Sequence, residues 1–243
     1  MRQHHYSYDE SNSSLIANVV IETLRHTANN NPVNLAEIAR GSKVIPRVAG
    51  EVLSDLLDQE NLEGSILDLS ERFKIGMIAA RLGASDRAAS ALSWQEFELF
   101  GAECLDLADF KAQKGVVFKD NKRRWQVDLV GVKGHTLLSI DCKHWESPNY
   151  ASKFSKAIMH QKESLKPLIN HLRASGRIAD LEVWGLPVIL TLFQPRQSCI
   201  DEVVLVSIGQ LPDFLSNVTR FDPDLPFVSD GETRKALSAE RLC

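Results

Sequence analysis

The stretch Arg124-Trp-Gln-Val-Asp128-Leu-Val-Gly-Val-Lys-Gly-His-Thr-Leu-Leu-Ser-Ile-Asp141-Cys142-Lys143 constrains the fold more than any other part of the chain. Its β-branched and apolar runs, interrupted at Lys133 and Gly134, predict two strands joined by a tight turn. Residues i and i+2 of a strand point to one face, roughly 6.5–7 Å apart. Asp141 and Lys143 therefore project together, while Cys142 points to the opposite face and into the core. A hairpin brings Asp128 towards the same end. Two carboxylates and a lysine at one spot suit a divalent cation and a phosphate.

The chain has 243 residues, enough for one large or two small domains. With 44% hydrophobic and 25% charged residues, its composition is that of a globular protein. No apolar run approaches the ~18 residues of a membrane span, and the first residues lack the apolar segment of a signal peptide. Cys104, Cys142, Cys199 and Cys243 form no CxxC pair, which argues against a zinc ribbon and fits a reducing cytosol. A cytoplasmic protein with no membrane partner is expected.

The net charge is −4, so any binding to a polyanion must come from a local patch. One lies just before the first strand, where Lys111, Lys114, Lys119, Lys122, Arg123 and Arg124 are accompanied by a single acid, Asp120. The segment 48–71 is the reverse: it carries Glu51, Asp55, Asp58, Glu60, Glu63, Asp68 and Glu71 with no Lys or Arg.

Residues 1–12 are polar and expected to be disordered. Apolar stripes at helical spacing predict helices over 14–27, 35–40 and 46–59, with Asn34 as a cap and Pro46 at a helix start. Residues 61–69 read as a short wing hairpin around Gly64, followed by a helix over 73–82 that ends at Gly83. Helix, short helix, turn, longer helix and wing resemble a winged helix-turn-helix domain over about 13–85. Such a domain places its third helix in a DNA major groove, yet here that helix carries Glu51, Asp55 and Asp58, which repel phosphate. A dimerisation or protein-docking module is the alternative.

Residues 86–92 read as a linker. Beyond it a helix over 94–107, a strand over 115–118, the two strands of the hairpin, a helix over 152–174, strands over 184–193 and 202–208, and a short helix from 211 give the order αβββαββ. This predicts an α/β domain over 93–220 with a mixed central sheet and helices on both faces. Residues 221–243 read as a C-terminal tail.

Residues 93–210 resemble the PD-(D/E)XK restriction-endonuclease-like nucleases, most nearly the Mrr-type restriction enzymes and archaeal Holliday-junction resolvases. The Phe97-Glu98 pair is similar to the family's opening helix, Asp128 to its lone acid, and Asp141-Cys142-Lys143 to its (D/E)xK triplet. Gln161, on the helix after the triplet, is similar to a glutamine of some branches. Asp128 follows Val127 where the family often has proline. Glu96 and Glu103 lie on the same helix as Glu98 and leave open which acid joins the site.

The resemblance implies a Mg²⁺- or Mn²⁺-dependent DNA endonuclease acting in repair, recombination or restriction, and a homodimer. Its metal ligands would be Asp128, Asp141, the backbone carbonyl of Cys142 and Glu98. Lys143 would position the attacking water, Gln161 would belong to the catalytic set, and the basic residues 111–124 would track DNA. A catalytically inactive nuclease fold that binds DNA or assembles complexes, and a winged-helix transcription regulator, are the alternatives. His144 and His160 flank the site and fit structural or phosphate-contacting roles. Trp125, Trp145 and Trp184 fit packing.

Overall fold

The computed structural model describes residues 10–144, 151–178 and 182–229. Of the disorder expected for 1–12, residues 1–9 lie outside the described residues, as does Trp145, while 10–12 are the first residues of a helix and correct that expectation. The chain divides into two compact units, Met1–Phe97 and Glu98–Cys243, with the boundary inside a helix. Among the described residues no helix is long and apolar enough to cross a membrane.

The first unit is helical: α1 (Glu10–His26), α2 (Leu35–Ser42), α3 (Pro46–Leu57), α4 (Leu69–Ala79), α5 (Ser85–Ala91) and the start of α6 (Trp94–Leu107). Its core gathers Val19, Val20, Ile21, Leu24, Ile38, Leu53, Leu57 and Ile75, the apolar stripes of successive helices. Asn34 caps α2 by accepting a hydrogen bond from the Glu37 amide at 3.1 Å, and Pro46 opens α3, as the sequence predicts. The exposed face of α3 is acidic, and Arg47 at its entry pairs with Glu51.

Three local expectations are corrected. Residues 61–68 form a turn rather than a two-stranded wing. Their backbone bonds reach back to the segment before α2, with the Val33 amide donating to Ser65 and the Gly64 amide to Val33. Helix α4 starts at Leu69, because Asp68 and Glu71 form a reciprocal capping box that a strand reading of 66–69 overlooks. The expected linker is mostly α5.

A buried ion pair ties the unit together. Arg72 on α4 donates to Glu96 at 2.6 Å and to the Leu24 and Ala91 carbonyls. Glu96 in turn accepts from the Ser93 amide at the start of α6.

The second unit is α/β. It contains the rest of α6, then β1 (Lys111–Asp120), β2 (Arg123–Lys133), β3 (Thr136–Lys143), α7 (Ala151–Ala174), β4 (Trp184–Thr191), β5 (Cys199–Ile200), β6 (Val203–Ser207), α8 (Leu211–Asn217) and β7 (Val228–Ser229). The sheet runs β1-β2-β3-β4-β6-β5, with β7 also paired to β4. The β1–β2–β3 meander is antiparallel and β3–β4–β6 is parallel, so the sheet is mixed and open. The tail is not wholly loose: Phe227 is buried and β7 pairs with the start of β4.

Helices cover both faces. On one, Leu165, Leu168, Ile169 and Leu172 of α7 bury Val130 and Leu137. On the other, α6 lies so close that a Cβ at Gly101 would meet Leu129 at 2.7 Å and Leu190 at 3.2 Å. Adjacent residues of a strand face opposite ways, so Leu129 and Val130 divide the two layers.

That alternation breaks once, at Asp128. Val127 shares the cluster beneath α7 with Val130, three residues on. The rings of Phe118 and Trp125 also lie against α7, through His171 and His160. The β1–β2 ribbon therefore swivels between Val127 and Leu129. Opposite Asp128 in the register is Gly115, whose φ of 58° lies in the left-handed region that glycine enters without a Cβ clash.

Candidate metal and phosphate site

The β2–β3 ladder runs from Lys133↔Thr136 to Leu129↔Ile140. Beyond its last pair, Oδ2 of Asp128 accepts a hydrogen bond from the Cys142 amide at 2.8 Å. Asp128 takes the place of a backbone carbonyl and holds the end of β3. This sets its carboxyl beside that of Asp141, as the hairpin reading expects.

Asp141 and Lys143 share one face of β3. The Lys143 Nζ lies 2.7 Å from both carboxylate oxygens of Asp141. Asp128 and Asp141 are almost fully buried, and Lys143 is about a quarter exposed. Burial pushes the Asp128 carboxyl up to about 6, the charge of Asp141 adds to the rise, and the Cys142 amide opposes it. Side-chain hydrogen bonding towards Asp141 raises Asp128 further.

Glu98 approaches from α6. Burial raises it to about 7, Asp128 adds repulsion, and Lys114 and Lys143 lower it. Of the three acids that the sequence left open, Glu98 is the one next to Asp128. Glu96 is committed to Arg72, and the charge of Glu103 acts on the buried Cys104 thiol, which is pushed up to about 12. The swivel at Asp128 explains the convergence, since Glu98 comes from the α6 layer and Asp141 from the α7 layer.

Gln161 is placed differently from the catalytic expectation. It is 1% exposed, and its amide donates to the Val188 carbonyl at 2.8 Å and the Ser139 carbonyl at 3.3 Å. Its Oε1 accepts from the Ser139 hydroxyl. Gln161 thus buttresses β3 two residues before Asp141. The side chain of Cys142 is buried as expected, and burial pushes its thiol up.

The basic patch lies on the β1–β2 ribbon. Lys111, Lys114, Lys119, Lys122, Arg123 and Arg124 are all exposed. Asn121 and Lys122, both with positive φ, make a two-residue loop between the paired Asp120 and Arg123. The charge of Lys114 is felt at Glu98; Arg123 stacks over Trp125 at 3.6 Å and pairs with Glu163 at 2.6 Å.

Among the described residues no group of three or more His, Cys, Asp or Glu side chains is placed to hold a metal ion. The adjacent, mutually repelling carboxyls of Asp128 and Asp141 nonetheless fit a hard cation that retains several waters, because such an ion offsets the charge that raises Asp128.

No protein-family model matches the chain. An uncharacterized protein of Archaeoglobus fulgidus is 26% identical over 128 residues, 52% of this chain and 92% of that protein. The crystal structure of protein VC1899 from Vibrio cholerae is similar over 85% of this chain, with a TM-score of 0.40 and 13% identity; the chain spans about half, 52%, of that structure's length.

Proposed function

We propose that the chain is a metal-dependent DNA endonuclease of the PD-(D/E)XK kind, with the helix-turn-helix-like first unit, which lacks the expected wing, as an accessory module. The observation that carries this reading is the buried Asp128–Asp141 carboxyl pair with Lys143 Nζ 2.7 Å from Asp141. A structural ion pair would need one acid for one base; here a second, repelling carboxyl is held in place by the Cys142 amide.

Asp128 and Asp141 would hold Mg²⁺ or Mn²⁺, with the Cys142 carbonyl as a further donor and Glu98 joining directly or through water. The cation supplies Lewis acidity at the phosphate and hydroxide near neutral pH. Lys143, held 2.7 Å from Asp141, would orient the attacking water and offset charge at the scissile phosphate. Glu98, raised to about 7, can take a proton from that water. Lys114 and the ribbon cations steer DNA towards the pair. The acidic α3 suits a protein partner better than a major groove, and a homodimer would let two sites cut both strands.

Nicking of supercoiled plasmid with Mg²⁺, against EDTA, tests the reading on the wild type and Asp141→Ala. Cleavage only by the wild type with Mg²⁺ is expected. Equal cleavage by both proteins would assign the activity elsewhere.

A further inference from the structure

Arg123, so far only one of the ribbon cations, belongs with Trp125, His160 and Glu163 to a cluster whose charges act close to the carboxylate pair. The Arg123 guanidinium lies flat over the Trp125 indole, 3.6 Å from its centroid. Packing of this kind fixes a guanidinium plane and leaves its N–H edge free to bind an oxyanion. That edge holds the Glu163 carboxylate at 2.6 Å. Both partners are about half exposed, so the pair contributes little to stability and exchanges readily.

His160 is one helical turn before Glu163 on α7, and its ring packs against the same indole at 5.5 Å between centroids. It is half-buried. The charged groups facing it are Lys143 and Arg123 on one side of the balance and Asp128 and Glu163 on the other. It therefore feels the charges of both the stacked arginine and the lysine of the site. Burial and the two cations lower it, so its imidazole is neutral near pH 7 and offers one donor and one acceptor. The Trp125 Nε1–H is buried and lacks a partner among the described residues, an unusual state for an indole packed in a core.

We propose that Arg123, stacked on Trp125, and His160 form a subsite for the DNA phosphate next to the one cleaved, and that Glu163 occupies the arginine edge as a carboxylate substitute which the phosphate displaces. The inference rests on the nuclease reading and deepens it. His160 and Arg123 position the strand, and Glu163 sets a threshold against weak anions. A nucleic-acid strand fits better than a free anion, because His160 packs on the indole that carries Arg123 and is close enough to the site to feel the charges of Lys143 and Asp128.

The test is binding of fluorescein-labelled single-stranded and duplex oligonucleotides by the full chain, read by anisotropy with Ca²⁺ to suppress cleavage, across a salt series. Glu163→Gln keeps the shape of the side chain and removes its charge; it should tighten binding about threefold to tenfold. Arg123→Ala should weaken it by a similar factor and reduce the salt slope by about one. His160→Ala should weaken it, with partial recovery in His160→Gln, which restores a donor and an acceptor. If Glu163→Gln binds no more tightly than the wild type while the wild type binds and cleaves, the subsite is wrong and the nuclease reading stands. If the wild type binds no oligonucleotide, both fail. Inorganic phosphate that competes at equal concentration for wild type and Arg123→Ala would also overturn the subsite.

Discussion

The carboxylate of Asp128 accepts the Cys142 amide at 2.8 Å, so a side chain completes a strand pairing that the backbone leaves open. One residue further along β3 or β2 the two chains have separated, and Asp128 is left bridging them beside Asp141. The acid that organises the site is thus also part of the sheet.

This double role predicts a specific pH dependence of stability. Asp128 sits at about 6 in the folded chain against an ordinary 3.8. A carboxyl raised on folding contributes stability below its unfolded pKa and loses it as pH rises through the folded value. Stability should therefore fall between pH 4 and 6 in the absence of divalent cations. Asp128→Asn keeps an acceptor for the Cys142 amide and removes the charge. It should be more stable than the wild type at pH 7.5, by on the order of 1–3 kcal/mol, with a flatter profile and no nicking activity. Urea unfolding at pH 5 and 7.5 measures it; an unchanged slope in the variant would place the pH dependence elsewhere.

Cation binding should release protons. Glu98 at about 7 and Asp128 at about 6 are partly protonated near neutral pH, and a bound cation favours their charged forms. The affinity for Mg²⁺ should rise several-fold from pH 6 to 8. Calorimetry in two buffers of different ionisation enthalpy counts the protons. Glu98→Gln should release fewer and bind Mg²⁺ more weakly; identical proton release would remove Glu98 from the site.

Gln161→Ala should act on stability first. It would leave the Ser139 and Val188 carbonyls without their side-chain donor in a closed interior. A loss of about 1–3 kcal/mol is expected. Activity measured well below the unfolding transition should fall less than in Lys143→Ala, which removes the cation at Asp141. Full inactivation of a stably folded Gln161→Ala protein would return Gln161 to the catalytic set.

In the first unit, Arg72→Ala should destabilise by about 3–5 kcal/mol, because it strands Glu96 at 1% exposure. Replacing both partners with Met and Leu should cost less than the sum of the single changes. A double-mutant cycle by chemical denaturation reads the coupling.

The strands around Asp128 and Asp141 were legible because their apolar runs are long and their punctuation is clear: Gly134, with φ of 55°, turns the hairpin as the sequence suggests. The α/β class follows from that alternation of strands with the α6 and α7 stripes. Other features were hidden for physical reasons. The swivel at Gly115 and Asp128 depends on cross-strand register, which a period-two pattern cannot reveal. Glu98 stood out from Glu96 only by the Phe97-Glu98 resemblance; the physical reason that Glu96 is committed elsewhere is Arg72, a partner 24 residues away. The wing reading failed at Gly64 because its amide bonds to Val33 rather than across a hairpin. Gln161 was noticed for its chemistry, while its burial against the Ser139 carbonyl depends on how α7 docks.

The parallel pairing of β3 with β4 has a consequence for how the chain reaches its native state. Asp141 lies opposite Ile189, and the two are separated by the 24-residue α7. During synthesis the β1–β2–β3 meander can close from local contacts, but β3 stays an open edge until Thr191 has emerged and α7 has folded back. The Asp128–Asp141 pair can then form with the meander, but the support of β3 by β4 and by Gln161 comes only later, so a nascent or truncated product ending before β4 would carry every acid of the site on an unsupported edge strand.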